Sequence, residues 1–394
     1  MISGLLSLCM ALCSILVFQA GAPVAHADGG APNLAYIAGS AQGVSVIDIA
    51  QQKITRTISL GGDPSMAYLS LDGRYLYIAQ PGANKITKLT AGTGQTACSA
   101  SVPGQPSLLA FDPGLNILYV AGNATSGITA IDGDTCKIQR TIQTSSPVYG
   151  MAMAIVGPGQ NGGSGNQLWF TTGSSLNILT QPDKVQTIAL PGAQYVTIPQ
   201  GATVYVTTRQ GTVVAVSLQT LQVTKPLLTG GDFGPMDYDA FTQEVYVPDR
   251  AHNAVDVLTP IYYGSPIPQE PNHVISVSTE PESVAITSDG NLAFLALAGG
   301  KVEMYDILGK DVINTFSVGG NPRFIITGLY PPAVRDAPQT NANGSTIPTT
   351  VLTIIAIVAI ILLLGIVILL LLARRKQPES EEYEEEDDAH ADDE

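Results

Sequence analysis

Residues 61–79 read GGDPSMAYLSLDGRYLYIA, from Gly61 to Ala79. Pro64 to Leu71 has the make-up of a strand, Asp72-Gly73 is a tight hairpin signal, and Tyr75 to Ala79 is a second strand carrying an aromatic. Pieces of this stretch return along the chain. The aromatic strand recurs as LAYIA from Leu34, LYIA from Leu76, LYVA from Leu118, LWFT from Leu168, VYVT from Val204, VYVP from Val245 and AFLA from Ala293. These seven starts scatter around the roughly 40–45 residues of a four-stranded propeller blade. A unit of that size buries its apolar faces only against its neighbours, so the repeat decides the fold.

Working outward, Gly82-Ala83-Asn84 makes the next turn, Lys85 to Thr90 a third strand and Ala97 to Val102 a fourth. Pro64, Pro106, Pro147, Pro235, Pro281 and Pro322 open units, where a first strand residue need not donate to a ladder. No stretch of residues 28–330 keeps a helical period, so this region is expected to be all-β. The chain enters at Leu34, already in a second strand, and its repeats finish on a first strand within Gly319 to Gly328. Residues 322–327 should therefore become the innermost strand of the blade formed by residues 34–59. A seven-bladed β-propeller closed by its own N- and C-terminal strands has no free edge left to aggregate.

The succession V-G-x-x-P, D-G-x-x-x-Y-V and V-x-V-x-D resembles the YVTN-type β-propeller repeat, here as LGGDP, DGRYLYI and VSVID. The likeness covers residues 33–328 and loosens in the fourth unit, where Gln181-Pro182 and Pro199-Gln200 replace the usual turns. Surface-layer proteins, lactonase-like propellers and quinoprotein-like propellers share this shape, so the resemblance implies a fold far more than an activity.

The ends of the chain speak to location. Residues 1–27 look like a secretory signal, with an apolar run from Leu5 to Val17 and Ala25-His26-Ala27 as the cleavage site, although no Lys or Arg precedes the run. Residues 331–347 form a proline-bearing polar linker. Residues 348–373 carry no charge and are long enough to be a single C-terminal transmembrane helix. Arg374-Arg375-Lys376 follows and sets the carboxyl end in the cytoplasm. The expectation is a single-pass type I protein of the cell membrane, propeller outside. Residues 374–394 are an acidic like-charge block, expected to be disordered, and a basic cytoplasmic partner or plain solvation are both open to it. Eleven of the 33 Asp and Glu lie there, so much of the net charge of −15 belongs to the tail. The mildly acidic remainder argues against nucleic acid.

Cys98 and Cys136 remain once the signal is removed. An oxidising compartment favours a bridge, while the splaying of neighbouring blades at their outer edges opposes it, and the pairing stays open. Gly157 to Asn166 is a flexible insertion. In Pro260 to Asn272 the adjacent Tyr262 and Tyr263 either meet a partner or fold back on the sheet.

No sequence signature of a catalytic or metal site is found, and no cofactor is expected: H-E-x-x-H, C-x-x-C, G-x-S-x-G and calcium-loop patterns are all missing. Asp132-Gly133-Asp134 reads as a turn. Asp48, Asp132 and Asp306 recur at ends of third strands, and Asp72, Asp112 and Asp289 at hairpin turns, so hydrogen bonds to turn amides are expected of them.

What breaks the repeat is the better functional candidate. One face gathers the connections between blades, with Asp63, Asp232, Glu280, Glu282, Asn321 and Arg323, and the loops after second strands, with Gln80, Asn84, Lys85, Arg209, Asp249, Arg250, His252 and Asn253. The glycines beside them, including Gly61, Gly62, Gly230, Gly231, Gly319 and Gly320, would let a ligand approach backbone amides. The expectation is a cell-surface binding or scaffold module that holds an extracellular protein, glycan or cell-wall partner around the channel mouth. A lactonase-like enzyme with its site at the same mouth, or a structural surface-coat element, is the alternative.

Overall fold

The computed structural model describes residues 33–155, 165–180, 184–199, 203–261 and 266–328. These residues fold as seven four-stranded antiparallel sheets. Each sheet is a blade, and all but one are built from four consecutive strands. Blade 2 runs through Met66–Leu69, Tyr75–Gln80, Lys85–Thr90 and Thr96–Ser101. Blade 1 is the exception. Its strands in chain order are Leu34–Ser40, Gly43–Asp48 and Lys53–Ser59, and Phe324–Gly328 from the other end supplies the innermost one. The closing strand starts two residues later than the expected 322–327 and ends one residue later. Its register sets Ala38 opposite Phe324, Ile37 opposite Ile325 and Leu34 opposite Gly328.

Burial explains the composition of each strand. Second strands lie between two neighbouring blades, so both faces are covered: Ile117–Gly122 is buried throughout, and Leu292–Leu297 nearly so. Such strands must be apolar on both sides, which is why LYVA and AFLA do not alternate. Outermost strands alternate instead, as in Asp311–Ser317, where Phe316 is buried among exposed neighbours. The recurring aromatic is the centre of every blade. Tyr36, Tyr119, Trp169, Tyr205, Tyr246 and Phe294 are fully buried, and Tyr77 is only 3% exposed. Burying the Phe294 side chain contributes about 1.5–3 kcal/mol.

Between each adjacent pair of blades lies one apolar cluster. Ala35, Ile37 and Ile47 of blade 1 pack with Phe294, Met304 and Phe316 of blade 7, and Ile325 of the closing strand completes that cluster. The ring is therefore sealed by packing as well as by the ladder. Two blades are incomplete. The outermost strand of blade 5 is only Leu228–Thr229, following Pro226, and the innermost strand of blade 6 is only Asp237–Tyr238, following Pro235.

The recurring aspartates organise turns. Asp132 Oδ1 accepts the amides of Asp134 and Thr135, Asp306 Oδ1 those of Leu308 and Gly309, and Asp112 Oδ1 those of Gly114 and Leu115. The Thr135 amide and hydroxyl hold the Asp132 carboxyl below its ordinary range. Cys98 and Cys136 are joined, with Cα atoms 5.9 Å apart. Cys98 lies on the outermost strand of blade 2, but Cys136 sits on the turn before the outermost strand of blade 3. That turn reaches across the splay. Both Lys88 Nζ and Tyr77 Oη of blade 2 donate to Gly133 O, each at 2.8 Å.

Among the described residues no helix is long and apolar enough to cross a membrane. The expected signal, linker, span, tail, the Tyr262-Tyr263 pair and most of the Gly157–Asn166 insertion lie outside the described residues.

Candidate functional site

Innermost strands begin on the face that gathers the connections between blades, and their first residues surround a central cavity of about 460 Å³. The position just after a unit-opening proline points at it again and again. Ser65, Ser107, Val148, Met236, Glu282 and Arg323 all line the cavity, each directly following such a proline. The wall is uneven. Blades 4 and 5 contribute Tyr149, Met151 and Tyr195, whereas blades 6, 7 and 1 contribute Asp237, Arg250, Glu282, Asn321 and Arg323.

The charges on this wall are held in place. Arg250 is mostly buried and lies between two carboxylates, with Nη1 3.8 Å from Asp232 and Nε 3.4 Å from Glu282. Tyr195 of the adjoining blade 5 lines the same cavity. Arg323 Nη1 meets Asp63 Oδ2 at 3.1 Å, which ties the closing strand to the connection leading into blade 2. Arg209 stands one step back, its guanidinium 4.3 Å from the centre of the Tyr149 ring, a favourable placement over an aromatic face.

The loops after second strands do a different job. Pro81–Ala83 and Arg250–His252 are equivalent single turns of 3-10 helix in blades 2 and 6. Asn84 and Asn253 end them in the left-handed conformation, at φ of 48° and 50°, where asparagine is well tolerated. Gln80 and Asp249 begin them, both buried. Gln80 Nε2 donates to Gly61 O at 2.6 Å, and Asp249 Oδ1 accepts the amides of Asp232 and Ala251. In each case a side chain from the second strand fastens the connection that enters the same blade.

His252 is the exposed member of this group. Its Nδ1 lies 2.6 Å from Asp249 Oδ2, and this hydrogen bond and charge raise its pKa above the ordinary histidine value. Asp256, on the strand that follows the turn, is pushed up to about 6, first by burial and then by the Asp249 charge.

Of the residues expected to form the site, Arg250, Glu282, Asn321 and Arg323 line the cavity, with Asp232 and Asp63 as ion-pair partners at its rim. Gln80, Asn84, Asp249 and Asn253 build the turns beside it, and His252 and Arg209 flank it. Sequence reasoning missed Asp237, Tyr149 and Tyr195. For Asp237 a signal was present. Two residues after the opening proline, other units carry Met66, Leu108, Ser283 and Phe324, and this one carries a carboxyl. Among the described residues no group of three or more His, Cys, Asp or Glu side chains is placed to hold a metal ion.

No protein-family model matches the chain, and no curated protein matches it in sequence. Solved structures match it in shape. A lactonase-like protein from Bacteroides uniformis is similar at 14% identity and a TM-score of 0.61, over 75% of this chain and 99% of that one. Apo AztD from Citrobacter koseri is similar at 11% identity and a TM-score of 0.57, over 76% and 99%. The β-propeller domain of Cps50 (Swd1) from Myceliophteria thermophila is similar at 12% identity and a TM-score of 0.57, over 68% and 90%. At such identities the likeness establishes the β-propeller fold and nothing about activity.

Proposed function

We propose that this chain is a YVTN-type propeller of the cell surface, tethered by residues 348–373 and holding a protein, glycan or cell-wall partner on the face around its channel mouth. The observation that carries the binding reading is the convergence of Arg250, Glu282, Asn321 and Arg323, from three blades, on one cavity. Charges that neighbouring carboxylates hold in a fixed geometry lose little freedom when a ligand arrives, which favours specific recognition. The tether rests on sequence: a signal-like start, an uncharged run of spanning length and the basic cluster Arg374-Arg375-Lys376.

Affinity capture from envelope extracts with the purified full-length chain tests the binding reading. Arg250→Ala with His252→Ala should sharply reduce retention of whatever the parent chain captures, and undiminished retention would count against it. Protease added to intact cells should digest the propeller and spare the acidic tail. The reverse pattern would remove the surface reading.

A further inference from the structure

Nearly every charge lining the cavity is answered by an opposite one. Arg250 has Asp232 and Glu282, and Arg323 has Asp63. Asp237 is the exception. Its Oδ2 accepts the Ile286 amide of blade 7 at 2.7 Å, and among the described residues no Lys, Arg or His lies within ion-pair distance of it. Another carboxylate, Asp239 on the same segment, also acts on it, and is itself engaged by the Phe241 amide and the Thr242 hydroxyl.

The surroundings of this carboxyl are specific. A second cavity, of about 270 Å³, adjoins the first, and both are lined by Pro235, Met236, Asp237 and Phe324. The smaller one is walled by Val284, Ala285, Ile286, Ile325 and Ile326, with Thr287, Ser288 and Thr327 beside them. It lies among blade 6, whose innermost strand is only Asp237–Tyr238, blade 7 and the closing strand. Asp237 thus stands where a space lined by several charges meets one in whose wall it is the sole charged residue and which is lined in part by aliphatic residues.

We propose that Asp237 anchors a small organic cation, a primary ammonium group bearing a short hydrocarbon arm, with the ammonium at the carboxylate and the arm in the smaller cavity. A partly desolvated carboxylate with no cation beside it recovers lost solvation when an ammonium ion docks against it. The aliphatic part of that wall rewards a hydrocarbon arm by removing it from water. Asp239 on the same segment and Glu282 on the same cavity wall repel an anion, while Arg250 and Arg323 are occupied by their own partners. The site lies below the rim and does not rest on the partner proposed there: Arg250 tests that surface, and Asp237 tests this one.

Burial raises the Asp237 pKa to about 6, so the carboxyl is ionised at pH 7.5 and largely protonated at pH 5. The experiment is a calorimetric or NMR titration of the full-length chain with n-pentylamine, 1-pentanol and pentanoate, all of one length and differing in charge. At pH 7.5 the amine should bind about tenfold or more tightly than the alcohol, and pentanoate should bind least. The affinity of the amine should fall about tenfold at pH 5, following the ionised fraction of a group titrating near 6. Ethylamine should bind more weakly than pentylamine, a comparison that needs no variant. Asp237→Asn keeps an acceptor for the Ile286 amide and should abolish the preference for amine over alcohol. Equal binding of amine and alcohol, tighter binding of pentanoate, no gain with chain length, or an amine preference that survives Asp237→Asn would each overturn the proposal.

Discussion

Ile37 and Ile325 face each other across an antiparallel ladder, one in the first strand of the propeller and the other in its last. Both are buried in the cluster that joins blades 7 and 1. This pairing turns an open row of sheets into a ring and places Arg323 and Asn321 at the channel mouth, so the site depends on it.

Ile325→Ala should therefore cost about 2–4 kcal/mol in chemical denaturation, the range for a large aliphatic removed from a packed core. Gly39→Ala should also destabilise. Gly39 has φ of 89°, and a Cβ there would collide with the Asn321 carbonyl at the start of the closing strand. Wild-type stability in both variants would mean that the chain ends do not close the ring.

The Cys98–Cys136 bridge closes a loop with a sequence separation of 38. Chain entropy gives such a crosslink about 3–4 kcal/mol. Replacing both cysteines with serine should lower stability by that order, and a non-reduced peptide map should show the two peptides joined. Separate peptides with free thiols would remove the bridge.

Asp237 should make stability depend on pH in the opposite sense to an ion-paired carboxylate. Its folded pKa, near 6, lies above the unfolded value of 3.8, so the folded state binds the extra proton between those values. Stability from this group is present at low pH and is lost as pH rises from about 4 to 6. Asp237→Asn should thus gain about 1–3 kcal/mol at pH 8 and nothing at pH 4. Equal effects at both pH values would show that burial does not burden the carboxylate.

His252 provides the contrasting sign. Its hydrogen bond to Asp249 raises the folded pKa above 6.5, so whatever it adds to stability is present below 6.5 and is lost as pH rises through the folded value. An NMR titration should place the imidazole above the ordinary histidine value, and Asp249→Asn should return it there. An unshifted parent titration would mean that the pair does not form in solution.

Much of the architecture was legible because it is repetitive. One aromatic per unit marked the second strands, and the phase of Leu34 against Pro322 implied the closure that Ile37 and Ile325 make. The site was legible only in outline. Gln80 and Asp249 were recognisable as polar residues on the correct face, but sequence does not say that their hydrogen-bonding groups are used by Gly61, Asp232 and Ala251. Asp237 departs visibly from the other units two residues after Pro235, but that no cation stands beside it depends on packing between blades that a single unit does not display. The Cys98–Cys136 pairing depended in the same way on how far one turn extends toward the next blade.

The channel mouth as working surface is tested most directly by a hydrogen-exchange footprint of the full-length chain with its captured partner bound. Slowed exchange is predicted at residues 61–65, 230–236 and 318–323, with the turns at Asp72-Gly73 and Asp289-Gly290, at the opposite ends of the strands, unchanged. Protection of those distant turns with no change at the mouth would contradict it.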